Sequence, residues 1–133
     1  MIYFDKPHNR IELNEAEGWV EIAFLGFVSE PELDESHAAL NKLMAERKPW
    51  AMIVDARKAS ALNHAMQQKS MANAAGFAAR GLRYVAVIEP QRETTRISLE
   101  TMKATTTASG LMSAFFNEKD TAIEWLRRQK PQK

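Results

Sequence analysis

The stretch Trp50-Ala-Met-Ile-Val-Asp55 decides how this chain folds. An unbroken apolar run leads into one carboxylate, between Lys48-Pro49 and the polar Ala56-Arg57-Lys58. A continuous apolar run this short leaves a helix no wet face. It suits a strand buried on both sides, the signature of a parallel sheet covered by helices. In open parallel sheets, ligands collect outside the carboxyl ends of the strands. Asp55 is the first polar residue at such an end, so a site is expected there.

Working outward, the N-terminal side reads as β. Arg10-Ile-Glu-Leu13 alternates, Asn14 to Gly18 is a turn, and Val20, Ile22 and Phe24 alternate with Trp19, Glu21 and Ala23. Period-two patterning on either side of a Gly-containing connection predicts an antiparallel hairpin. Residues 1–4 are expected to pair as a further edge strand. Ser29-Glu-Pro-Glu32 then opens a helix, with Ser29 and Glu32 as a capping box and Pro31 tolerated in the first turn. Leu33, His37, Leu40, Leu43 and Met44 form its apolar stripe, and Pro49 stops it.

Beyond Asp55 the helix and strand signals alternate. Ser60 is the expected N-cap of a second helix that runs through Leu62, Met66, Ala74 and Phe77 and exits at Arg80-Gly81. Residues 82–88 read as a strand, 94–108 as a third helix and 111–116 as the last strand. Asn117 is the expected cap of a fourth helix whose buried face is Ala122, Ile123, Trp125 and Leu126, stopped by Pro131. Strands begin about 30 residues apart, a normal βα crossover length. The expectation is one α/β domain over residues 1–133, a hairpin followed by βα units, with a small mixed sheet flanked by four helices.

Composition narrows the function classes. A net charge of +1 creates no field to steer nucleic acid or an anionic membrane. The absence of cysteine excludes disulfides, thiolate metal sites and a cysteine nucleophile. No apolar run approaches the roughly 20 residues of a transmembrane helix, and the first residues lack a signal-peptide pattern. A cytoplasmic protein without cofactor or metal is expected.

Two segments carry a family resemblance. Gly26-Phe-Val-Ser-Glu-Pro-Glu-Leu33 looks like a glycine followed by a capped first helix, and Phe115-Phe-Asn-Glu-Lys-Asp-Thr-Ala-Ile-Glu-Trp-Leu126 like a closing aromatic strand and Ala-x-x-Trp-Leu helix. With the order of elements, they resemble the STAS fold of anti-sigma-factor antagonists, SpoIIAA-like. The similarity is narrower still to bacterial STAS-like proteins often grouped with CRAL-TRIO lipid carriers. That resemblance implies a SpoIIAA-like domain with a regulatory or protein-binding role, or carriage of a small apolar ligand or lipid. Asp55 matches the family's strand-end Asp. Where the antagonists carry an Asp-Ser pair, this chain reads Ala61-Leu-Asn63, so phosphoregulation does not carry over.

Individual residues support two readings each. Ser60 would accept phosphate favourably near a helix N-terminus, yet a plain N-cap needs the same residue. Asp55 would position a ligand, or bond loop amides. His64 follows Asp55 and Ser60 closely, but a Ser-His-Asp arrangement here has no nucleophile elbow. Asp55, Ser60, Asn63 and His64 are therefore the candidate regulatory or ligand site, with no residue assigned to catalysis. Met66, Met71, Phe77 and Met102 are the candidate apolar surface, because methionine serves both cores and adaptable binding faces. Apolar residues in excess of the interior, Phe27, Trp50, Phe115 and Phe116 among them, predict a homodimer, with the Arg10–Leu13 edge as a second route.

Overall fold

The computed structural model describes residues 2–58, 64–89 and 111–129, with the side chains of His64, Gln67, Met71 and Ala74 outside the description. The strands are β1 (Ile2–Lys6), β2 (Asn9–Asn14), β3 (Trp19–Phe24), β4 (Ala51–Asp55), β5 (Tyr84–Ile88) and β6 (Met112–Phe116). The helices are α1 (Glu30–Arg47), α2 (His64–Ala79) and α3 (Lys119–Gln129). The strands join in one sheet in sequence order, antiparallel from β1 to β3 and parallel from β3 to β6. The predicted helix over 94–108 lies outside the described residues, which contain three of the four expected helices.

The hairpin forms as its alternation dictates, with Ile11 opposite Ile22 and Leu13 opposite Val20. β1 pairs outside it, so the Arg10–Leu13 segment is bonded on both sides. This corrects the expectation that this segment offers a free edge. β1 is the edge strand, and a register irregularity between Ile2 and Phe4, with Asp5 and Lys6 beside it, blunts it in the manner of many natural edges.

Each side of the sheet has its own core because alternate residues of a strand point to opposite faces. On one face Ile11, Leu13, Val20, Ile22 and Met52 meet Leu40, Leu43 and Met44 of α1, and Phe77 and Ala78 of α2. On the other, Trp19, Ala51, Ile53, Ala86 and Ile88 meet Ala122 and Leu126 of α3. An aromatic row completes that face: Trp19, Trp50, Tyr84 and Trp125 follow one another edge to face at 5.9 to 6.2 Å, and Trp125 also contacts Phe116 at 5.7 Å. Gly18 makes room for this row, since its φ is +78° and an added Cβ would stand 3.3 Å from Trp50 Cδ1.

Helix ends follow local chemistry. Ser29 Oγ accepts from the Glu32 amide, and Glu32 Oε1 accepts from the Ser29 amide, closing the expected capping box. α1 ends at Lys48, in left-handed geometry with φ +48° immediately before Pro49. α3 begins later than expected. Glu118 O accepts from the Ala122 amide, so Glu118 holds the cap position assigned to Asn117. The predicted Ser60 cap lies outside the described residues.

Met66 and Phe77, expected on an apolar surface, are core residues instead, only 4% and 5% exposed. Met66 fills a small cluster with Val28 and Leu33 at the start of α1, and Phe77 packs into the main core. The Met71 side chain and Met102 lie outside the described residues. Among the described residues, no helix is long and apolar enough to cross a membrane.

Candidate functional site

The carboxyl ends of the parallel strands, where a site was expected, hold a polar cluster. Ala23 of β3 stands beside Asp55 of β4, and both lie on the face that α3 covers only in part. Glu21 shares that face two residues earlier, and Arg10 and Glu12 of β2 flank it. Together with Lys119 from the first turn of α3, these residues line a cleft of about 110 Å³. Its floor is the sheet itself.

Every charge in the cleft has a partner. Asp55 Oδ1 accepts from the Arg57 amide at 3.2 Å and from Arg57 Nε at 3.0 Å, while Oδ2 accepts from Arg57 Nη2 at 2.7 Å. Strand-end Asp55 is thus bound to its own loop, the simpler of its two expected roles. Glu21 Oε1 pairs with Lys119 Nζ at 2.7 Å, and its Oε2 accepts from Trp19 Nε1 at 3.1 Å. Arg10 and Glu12 pair at 3.6 Å.

These contacts set the ionisation states. Burial pushes the Glu21 carboxyl up, but hydrogen bonds from Lys119 and Trp19 outweigh it and leave the group below its ordinary value. Burial likewise pushes Asp55 up, and the Arg57 side chain, amide and charge together hold it lower. Both are carboxylates at neutral pH, each already neutralised. Neither is poised as a general acid, which requires a raised value. Among the described residues, no group of acidic and histidine side chains has the arrangement of a metal site.

Of the four predicted site residues, Asp55 is in the cluster. Ser60 and Asn63 lie outside the described residues, and His64 is described only as the backbone start of α2. Asp55 has both oxygens engaged by Arg57 rather than by a histidine. Sequence reasoning missed Glu21 and Lys119. Their signals were a lone carboxylate among the apolar residues of β3 and a lysine in the first turn of a helix, where the dipole favours acids.

The same end of the sheet carries the largest exposed apolar side chain among the described residues. The β3–α1 connection runs Leu25-Gly26-Phe27-Val28: Val28 turns in against Leu33 and Met66, while Phe27 is 73% exposed and Leu25 41%. Gly26 supplies the turn with a φ of +154°. The expectation that some aromatics remain outside the core holds at Phe27.

No family model matches the chain, and no curated protein matches it. Solved structures do. One is the crystal structure of an uncharacterized DUF3478-family protein with a SpoIIAA-like fold from Shewanella loihica PV-4. It superposes with a TM-score of 0.66 over 87% of this chain and 90% of that one, at 16% identity. This chain has a SpoIIAA-like fold. The resemblance read from the sequence is therefore shared at the level of the fold. At this identity, the likeness speaks for the SpoIIAA-like fold alone.

Proposed function

We propose that this chain is a non-enzymatic SpoIIAA-like regulatory or interaction module that works by binding another protein chain, a second copy of itself being the simplest case. The carrying observation is Phe27, left 73% exposed beside Leu25 on one connection at the carboxyl edge of the sheet. Burying such a side chain is worth about 1.5–3 kcal/mol, and this chain's own core does not collect it. A partner would. The Asp55–Arg57 and Glu21–Lys119 pairs lie toward the same carboxyl end of the sheet and supply polar groups of the kind that interfaces commonly place around an apolar anchor.

Binding without catalysis fits the chemistry. The cleft carboxylates are ionised and neutralised by neighbours, which suits recognition better than proton transfer. Photo-crosslinking tests the proposal. A crosslinker at position 25 should give one discrete adduct whose mass identifies a protein, lost when Phe27→Ser is added. A probe at Glu124, exposed on α3, should give none. Adducts from both positions, or an adduct indifferent to Phe27, would contradict the reading. A fatty acid retained by the purified protein, with no adduct, would favour a carrier.

A further inference from the structure

The seam between α1 and α2 is polar where helix packing usually is not. His37 and Asn41 of α1 face Ser70 and Asn73 of α2. The two asparagine amides are oriented by backbone carbonyls, which only accept. Asn73 Nδ2 donates to Lys69 O at 2.9 Å, and Asn41 Nδ2 donates to His37 O at 2.8 Å. The second hydrogen of Asn41 reaches Asn73 Oδ1 at 2.6 Å. That leaves the second Asn73 hydrogen aimed at His37 Nδ1, 3.2 Å away.

An NH2 group has no lone pair to offer, so His37 Nδ1 must be the acceptor. The proton of the neutral ring is then on Nε2, directed at Ser70 Oγ at 3.4 Å. This excludes His37 as a base for Ser70 in the observed arrangement. It also makes the seam conditional on charge. A proton on Nδ1 would set two donors against each other across the interface.

We propose that His37 and Asn73 form an acid-sensitive latch between α1 and α2, closed when the imidazole is neutral and opened when it is protonated. The charged neighbours act in opposite directions, and Arg80, just past the end of α2, also reaches the seam, donating to Asn41 O at 3.2 Å. Asp34, one turn back on α1, favours the protonated ring, while Lys69 of α2 opposes it. Lys69 is itself bound to Asp34 at 3.0 Å and to Glu30 at 3.5 Å. On the sheet side, His8 pairs with Glu32 and Tyr3 accepts from Arg47. Glu32 lies five positions before His37, about 140° round the helix, so it does not face the seam.

Burial is the largest influence and lowers the ring's value from the ordinary 6.5. The unfolded chain therefore takes up this proton first as the solution is acidified. The latch contributes fully above the unfolded value and is lost as pH falls through the folded one. Without the His37–Asn73 contact, α2 keeps its apolar anchors Met66 and Phe77 and the bonds from Lys69 to Asp34 and from Arg80 to Asn41 O, but loses one partly buried hydrogen bond to α1. The acid state is thus a loosened helix on an intact sheet.

Two measurements on the full chain decide this. Nitrogen-15 NMR of wild-type His37 should show the Nε2–H tautomer and a titration midpoint below 6.5. An Nδ1–H tautomer, or a midpoint at or above that value, overturns the latch. Amide exchange and melting should respond too. Between about pH 7.5 and pH 5, wild type should lose protection in α2 and several degrees of Tm, and His37→Gln, which still offers Asn73 an acceptor oxygen, should lose markedly less. Equal losses in both proteins overturn it. If His37→Gln does not fold, the tautomer and midpoint of the wild-type ring still decide between a latch and an ordinary helix contact.

Discussion

Gly18→Ala probes how the aromatic row is seated. Two costs follow from the geometry. An alanine at φ +78° is held in left-handed backbone, which costs about 1–2 kcal/mol for a residue with a Cβ. The new methyl would also press on Trp50, with Cδ1 at 3.3 Å and Nε1 at 3.4 Å. Trp50 has little room to yield, because its Nε1 donates to Glu17 O at 2.9 Å and its ring stands between Trp19 and Tyr84. Losing that hydrogen bond costs about 1 kcal/mol more. The total is about 2–3 kcal/mol, read by urea denaturation followed through far-ultraviolet circular dichroism. In a Trp50→Leu background, the same substitution should cost only the backbone part, about 1–2 kcal/mol. A loss below about 0.5 kcal/mol, or equal losses in both backgrounds, would refute the account of Gly18 as the seat of Trp50.

Other substitutions test other joints. Trp125→Ala should cost about 2–4 kcal/mol in the same assay, because a partly buried ring and its contacts with Tyr84 and Phe116 are lost. Lys48→Gly should raise stability by about 0.5 kcal/mol, since relief of the φ +48° strain exceeds the entropy a glycine adds to the unfolded chain. Glu21 is held below its ordinary value of 4.5, so its contribution is present above that pH and lost as pH falls below it. Glu21→Gln should accordingly flatten the acid limb of a Tm-against-pH curve. Ser36→Ala should cost about 1–3 kcal/mol, because it strips the 2.8 Å donor from the fully buried Asn9 carbonyl.

Local signals were the most legible. The run ending at Asp55, the hairpin alternation and the Ser29–Glu32 box each concern neighbouring residues, and the folded chain uses them as read. Reading Met66 and Phe77 as surface failed because it set the apolar residues against a single small interior. The sheet is covered on both faces, and a separate cluster beside Val28 takes in Met66. The edge strand expected over residues 1–4 is present as β1, and its pairing with β2 is what removes the free edge assigned to Arg10–Leu13. At the site, Asp55 was visible, while the Glu21–Lys119 pair joins residues that are distant in sequence and meet only through α3. The seam was hidden for a similar reason. Asn41 and Asn73 read as ordinary polar positions until the two helices lie side by side.

The central claim is that the Phe27 loop is a contact surface for another protein chain. Native mass spectrometry of the protein, isolated gently from the cells that make it, tests this most directly. The account predicts an assembly heavier than the 15.1 kDa chain by at least one protein chain, dissociated by Phe27→Ser with the fold retained. A wild-type protein found only at the mass of one chain, bare or carrying an apolar small molecule, would contradict it.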